Sequence, residues 1–214
     1  MKIEDIFLSN NSIAADFIKS FSYPFEVLPE IKSYIIKLGN TLSADFIKYD
    51  DNIWIHKSAV VSKSAEIKGP CIIDERSEIR HNAFIRGNVI IGKKAVLGNS
   101  CEIKNSILYD NVQVPHFSYV GDSILGEHSH MGAGSIISNL KSDKKNIVIN
   151  GIDTQLRKIG AFLGDNVEIG CGCVLNPGTI VLPNSRIYPL TSVRGVVPGN
   201  SIVKNMNNIV KMEE

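Results

Sequence analysis

From about residue 53 onward, aliphatic side chains return at every sixth position: Ile55, Val61, Ile67, Ile73, Ile79, Ile85, Ile91, Leu97 and Ile103. The count shortens by one and resumes at Leu108, Val114 and Val120, then shortens again before Leu125, Met131 and Ile137. After a gap it returns at Leu163, Ile169, Leu175, Val181, Ile187 and Val193. Two positions before the aliphatic residue stands mostly a small one, such as Ala59, Ala65, Ala83, Ala95, Cys101, Ser118, Ser135 and Cys173. Such a hexad supplies one short strand and one turn, with the aliphatic side chain inward and the small residue at a corner. Three hexads close one coil, so residues eighteen apart stack, and each coil buries its inner face only against its neighbours. The pattern predicts an all-β domain, a parallel β-helix, over residues 51–205.

The flanks follow other periods. Residues 1–50 read as a helical arm. In "IEDIFLSNNSIAADFIKSF", Ile6, Phe7, Ile13, Ala14, Phe17 and Ile18 gather near one helical face, and Pro24 interrupts. "LPEIKSYIIKLG" spaces Leu28, Ile31, Tyr34, Ile35 and Leu38 at helical intervals, with Pro29 suited to a first turn and Gly39 to a C-cap. Residues 138–160 leave the repeat and carry Lys141, Lys144, Lys145, Arg157 and Lys158. They read as a flap over an anionic ligand, or more plainly as a solvated basic loop. Residues 206–214 read as a short tail.

Composition narrows the partners. Hydrophobic residues make up 43% of 214, enough for a core. A net charge of +1, from 23 basic and 22 acidic side chains, argues against bulk attraction to nucleic acid or an anionic membrane. No apolar run approaches the ~20 residues that span a bilayer. The start, "MKIEDIFLSNN", places acidic residues where a signal peptide is apolar, so a cytoplasmic protein is expected. Cys71, Cys101, Cys171 and Cys173 fall too irregularly for a disulfide framework and read as small buried side chains.

The candidate chemistry centres on "VPHFSYVGD", residues 114–122. Of the histidines, His56 and His81 sit in turns of the repeat, while His116, His128 and His130 cluster. One reading is zinc: His128 and His130 would share a face if both lay on a strand, and trimeric hexapeptide proteins include the γ-class carbonic anhydrases. That family's histidine spacing is not reproduced. The other reading makes His116 a general base. Arg86 and Lys104 are eighteen apart and each follows an inward aliphatic residue, so they should stack on one edge. Like charges so placed call for an anion between them. With Tyr119, and with Lys145 on the flap, they outline a cradle for a phosphate monoester.

The segments "LGNSCEIKNS" (97–106), "VPHFSYVGDSILGE" (114–127), "HMGAGSIISNLKSD" (130–143) and "LGDNVEIGCGCVLNPGTIV" (163–181) resemble the acetyltransferase domain of bifunctional N-acetylglucosamine-1-phosphate uridyltransferase/glucosamine-1-phosphate N-acetyltransferases. They are closer still to archaeal and stand-alone sugar-1-phosphate acetyltransferases. The resemblance covers residues 45–205 and implies a left-handed β-helix, the known exception to right-handed parallel crossovers. It implies that His116 is the catalytic base and that the Ala133 N–H faces the developing oxyanion. Asn139 would contact both acetyl-CoA and the amino sugar. Arg86, Lys104, Tyr119 and Lys145 would hold the sugar phosphate. The resemblance further implies acetyl-CoA as co-substrate, no metal, and a homotrimer with sites between subunits.

Several departures shape these expectations. Residues before 50 carry no glycine-rich nucleotide motif, so uridylyl transfer is not expected. His130 stands where the bifunctional enzymes have a sugar-contacting Asn. Cys171 replaces a cofactor-contacting Ser, and Lys204 aligns loosely with a CoA-phosphate position. The chemistry fits the roles: an ammonium must lose a proton before it attacks a thioester, and a histidine's ordinary pKa of about 6.5 suits that task. The competing expectation is a binding or scaffold protein that has kept the site without turnover.

Overall fold

A computed structural model describes residues 1–212, so the last two residues of the expected tail lie outside the described residues. The chain forms a left-handed parallel β-helix of about eight turns. Its cross-section is a triangle with three strand faces. The first face stacks Glu66–Ile67, Phe84–Ile85, the start of Glu102–Leu108, the start of Tyr119–Leu125, Ile136–Ile137, Val174–Leu175 and Ser192–Val193. The second stacks Ile53–His56, Cys71–Ile73, Val89–Ile91, the ends of the two long strands, Ala161–Leu163, Thr179–Val181 and Val196–Val197. The third runs from Val60–Val61 through Val96–Asn99, Gln113–His116, His130–Met131, Glu168–Ile169 and Arg186–Ile187 to Ser201–Asn205.

The six-residue period is the inward column of each face. On the first face Ile85, Ile103, Val120, Ile137, Leu175 and Val193 are all 0% exposed. Each contributes about 1.5–3 kcal/mol by leaving water. The two shortened steps in the count have a structural cause. Ile85 pairs with Ile103, but Val89 pairs with Ser106, so the corner between the first and second faces loses one residue. The next coil keeps the shorter corner, pairing Ile103 with Val120 and Ser106 with Ser123. A single left-handed residue turns each short corner: Asn105 at φ 45° and Asp122 at φ 51°.

The arm departs from the expected pair of helices. The first splits into Ile3–Ile6 and Ala15–Lys19. Between them, the Leu8 and Ser9 N–H groups both donate to Asp165 Oδ2 at 2.8 Å. Ser9 and Asn11 side chains donate to Glu127. Side chains of the solenoid thus take the backbone donors that a continuous helix would use. Phe7 stacks on Tyr109 with centroids 5.5 Å apart. Pro24 begins the helix Pro24–Val27 rather than interrupting one. A 3₁₀ turn at Leu28–Glu30 leads into Ile31–Gly39. Gly39 is the last helical residue, and its need for glycine is steric: a Cβ there would lie 2.5 Å from the Trp54 ring.

Both ends of the solenoid close with antiparallel hairpins. Phe46–Asp50, expected within the arm, pairs with Ile53–His56. Asn208–Lys211, expected in a tail, folds back on Ser201–Asn205. Each hairpin gives partners to a strand edge that would otherwise stay open. No helix among the described residues is long and apolar enough to cross a membrane.

Asp165 is 5% exposed and accepts three backbone N–H groups, from Leu8, Ser9 and Glu127. Asp165→Ala leaves those donors without an acceptor, which costs about 1–3 kcal/mol for each one that stays buried. Limited proteolysis of this variant should cut within residues 1–40 faster than wild type. Unchanged cutting there would mean that the arm docks by apolar packing alone.

Candidate functional site

Three of the expected site residues, His116, Ala133 and Cys171, fall along one edge of the triangle, where the third face turns into the first. Parallel register decides their neighbours. Gln113 pairs with His130 and Met131 with Ile169, which carries His116 onto Ala133 and Ala133 onto Cys171 in successive coils. Hydrogen bonds along the corner follow the same order. Gly134 N–H donates to the His116 carbonyl at 3.0 Å, Gly172 N–H to Ala133 at 2.9 Å, and Leu190 N–H to Cys171 at 2.9 Å. His116, Ala133 and Cys171 therefore form one vertical column, with Cα atoms about 4.8 Å apart per coil. The His116 side chain is exposed beside Phe117, a left-handed corner residue at φ 51°. The Ala133 carbonyl is engaged within the solenoid, whereas its N–H makes no hydrogen bond among the described residues.

Cysteine burial corrects one expectation. Cys71, Cys101 and Cys173 are buried as expected, but Cys171 is exposed. Its alternation with Cys173 explains the difference: Cys173 is the small residue two before inward Leu175, and Cys171 lies on the outer edge.

Around the corner, on the first face, lies the second group. Its outward residues stack in the order Lys68, Arg86, Lys104, Gly121, Ser138, as the register of Ile67, Ile85, Ile103 and Val120 requires. Arg86 and Lys104 are stacked as expected. The anion between them comes from the protein, however. Arg86 Nη1 meets Glu102 Oε1 at 2.7 Å, and Lys104 Nζ meets Asp122 Oδ2 at 2.9 Å. The second pair is the more enclosed, with side chains 19% and 7% exposed. Asp122 also accepts from Asn105 Nδ2 at 2.9 Å and Asn139 Nδ2 at 2.5 Å. Asn139 Nδ2 reaches the Tyr119 hydroxyl at 3.2 Å. Burial, and then the Asp122 and Glu102 carboxylates, push the Tyr119 phenol above its ordinary pKa, so it keeps its proton as a donor. Gly121 makes room for this cluster: a Cβ there would lie 2.5 Å from the Tyr119 hydroxyl and 2.9 Å from Asn139 Nδ2.

Other expected residues lie apart from it. His130 points from the third face and pairs with Glu168, Nδ1 to Oε2 at 3.0 Å. His128 occupies a left-handed turn at φ 58°, not a strand, so the shared face needed for chelation with His130 is not formed. No group of three or more His, Cys, Asp or Glu side chains among the described residues is arranged to hold a metal. Lys145 is exposed on the flap, its N–H donating to Asp143 at 3.0 Å. The flap is more than a solvated loop. Ile147 and Ile149 are buried, Val148–Ile149 pairs with Ile152–Asp153, and Leu140 bridges Lys158 at its base. Lys204 is exposed on Ser201–Asn205, on the His116 edge but two coils beyond Cys171.

The residue missing from the expectations is Asp122, the acceptor shared by Lys104, Asn105 and Asn139. The sequence held a signal for it. Both shortened steps in the six-residue count fall at Asn105 and Asp122, the residues that turn the short corners.

The sequence matches known proteins over much of its length. The family model described as GMPPB C-terminal domain matches residues 67–197. The chain is 37% identical over 185 residues to a bifunctional sugar-1-phosphate nucleotidylyltransferase/acetyltransferase of Sulfurisphaera tokodaii, covering 75% of this chain and 46% of that protein. It is 36% identical over 194 residues to a bifunctional protein GlmU of Methanococcus maripaludis, covering 88% of this chain and 47% of the relative. The chain thus spans about half the length of these curated relatives. Among solved structures, the polySia-specific acetyltransferase NeuO aligns with a TM-score of 0.45 and 13% identity, covering 76% of this chain and 88% of that one. With a family model matched across most of its coils, the chain belongs to the GMPPB C-terminal domain family of hexapeptide-repeat proteins.

Proposed function

We propose that this chain is an acetyl-CoA-dependent N-acetyltransferase of an amino-sugar 1-phosphate, with glucosamine 1-phosphate the first acceptor to test. The observation that carries the reading is the column His116–Ala133–Cys171 standing beside the Lys104–Tyr119–Asn139 cluster. An exposed imidazole, an unspent N–H one coil away and a phosphate-binding set around the corner are the parts that acyl transfer to a phosphorylated amine needs.

In this mechanism Lys104, Tyr119 and Arg86 hold the phosphate, and Lys145 closes from the flap. His116 takes a proton from the sugar ammonium. The freed amine attacks the thioester carbonyl, forming the C–N bond, and the Ala133 N–H donates to the oxyanion. Collapse breaks the C–S bond; the nitrogen sheds its second proton, the departing CoA thiolate takes up a proton, and His116 returns the first to solvent. Asn139 stands between the acetyl group and the amino sugar, Cys171 lines the cofactor side, and Lys204 lies farther along the same edge, about 10 Å beyond Cys171 at two coil spacings. No step requires a metal. His130 stands on the neighbouring face, available to a sugar reaching past the corner. The open side of the edge is closed in this reading by a second copy in a homotrimer. Exposed Phe117 (62%) and Leu190 (85%) on the His116 corner support that packing.

Two outcomes are expected. His116→Ala should lower kcat for thiol release by about 10²–10⁴-fold with little change in the KM for acetyl-CoA. Full turnover by the variant would remove His116 as base, and silence of the wild type across a panel of amino-sugar phosphates would favour a non-catalytic binding protein. A disulfide reagent should modify Cys171 alone in the folded protein, and saturating acetyl-CoA should slow it. Unslowed modification would take CoA off this column.

A further inference from the structure

The Asp122 carboxylate is 7% exposed and reaches four neighbours through its two oxygens and its backbone. Oδ2 receives Lys104 Nζ and Asn139 Nδ2, and Oδ1 receives Asn105 Nδ2. Its carbonyl receives the Gly160 N–H at 2.8 Å. Asn139 opens the flap and Gly160 ends it, so one residue ties both roots of the flap to the first face. The Ile159 N–H adds a bond to the Asn139 carbonyl at 3.1 Å.

An ionised carboxylate accepts and never donates. The Asn139 side chain must therefore turn its NH₂ toward Asp122, and that same nitrogen also serves the Tyr119 hydroxyl. Both amide hydrogens are spent on the protein, and the side-chain oxygen is the group left for a ligand. Lys104 has three N–H donors; one goes to Asp122, leaving two for phosphate oxygens.

We propose that Asp122 is the positioning residue of the acceptor half of the site. It anchors the Lys104 ammonium and sets the Asn139 amide as an acceptor, so that a phosphorylated amine meets a donor at its phosphate and an acceptor beside its amino group. The proposal rests on the acetyltransferase reading for its substrate, and on the hydrogen-bond geometry alone for the orientation of Asn139.

Asp122→Asn keeps the shape and removes the charge. Its KM for glucosamine 1-phosphate should rise about tenfold, while its KM for acetyl-CoA stays within about threefold. Made in a Lys104→Met background, the same substitution should raise the acceptor KM by clearly less than in the wild type, because one of its two targets, the ammonium, is already gone while Asn139 remains. A purely structural role predicts otherwise: less active protein in both backgrounds, with KM unmoved. Equal effects in the two backgrounds overturn the proposal. A second readout needs no turnover. The Asn139 side-chain NH₂ signals should be protected from solvent exchange by NMR in the wild type and lose that protection in Asp122→Asn; identical exchange in the two proteins overturns the proposal. If the wild type releases no thiol, the functional reading fails while the NMR comparison still decides the role of Asp122.

Discussion

The inter-coil backbone ladder is the interaction on which the rest depends. Each coil hands its N–H and C=O groups to the coils above and below, and the pairing is in register within a face. A one-residue slip would turn every inward aliphatic side chain outward, so burial of Ile85, Ile103, Val120 and Ile137 locks the register. Once locked, the register converts sequence separation into spatial adjacency. His116 lies beneath Ala133, and Lys104 above Arg86, because nothing else is compatible with the core. The solenoid is thus a rigid ruler along which chemistry can be placed at intervals of one coil.

Electrostatics on that ruler are more self-contained than the charge row suggests. Three cations, Lys68, Arg86 and Lys104, stack on one face, yet each meets a protein carboxylate: Glu66, Glu102 and Asp122. The first two pairs are well exposed and worth little to stability. The Lys104–Asp122 pair is enclosed, and removing either partner alone strands a charge, a change that in buried pairs costs about 3–5 kcal/mol. Enclosure fits a role in holding geometry, because an enclosed ammonium with a fixed partner does not wander. Asn105 and Asp122, at the two shortened corners, make the tight turns and are also bonded to each other.

Much of this was legible in the sequence, for a physical reason. Hexads are strict because every coil repeats the same burial problem, so the fold and the stacking of Arg86 on Lys104 follow from counting. In the column His116–Ala133–Cys171, His116 stands out by its residue type, whereas Ala133 and Cys171 are named only by resemblance, and for Cys171 the flap also breaks the count between Ile137 and Leu163. The arm was harder. Its apolar residues suit a helix across Ile3–Ile18, and only the solenoid's Asp165 and Glu127, far away in sequence, reveal why the chain opens at Leu8–Asn11. Asp122 carries no signal of its role in its own neighbourhood, because "VGD" reads locally as a turn and its side-chain partners are seventeen or eighteen residues away on adjacent coils.

The central claim is that the His116 edge and the Lys104 cluster form one acyl-transfer site. A structure with acetyl-CoA and glucosamine 1-phosphate bound tests it most directly, through the distance from the sugar nitrogen to the His116 imidazole. The claim requires about 2.6–3.2 Å, directly or through one water, with the phosphate on Lys104 and Tyr119. A phosphate bound away from Lys104, or an amine that never approaches His116, would contradict it.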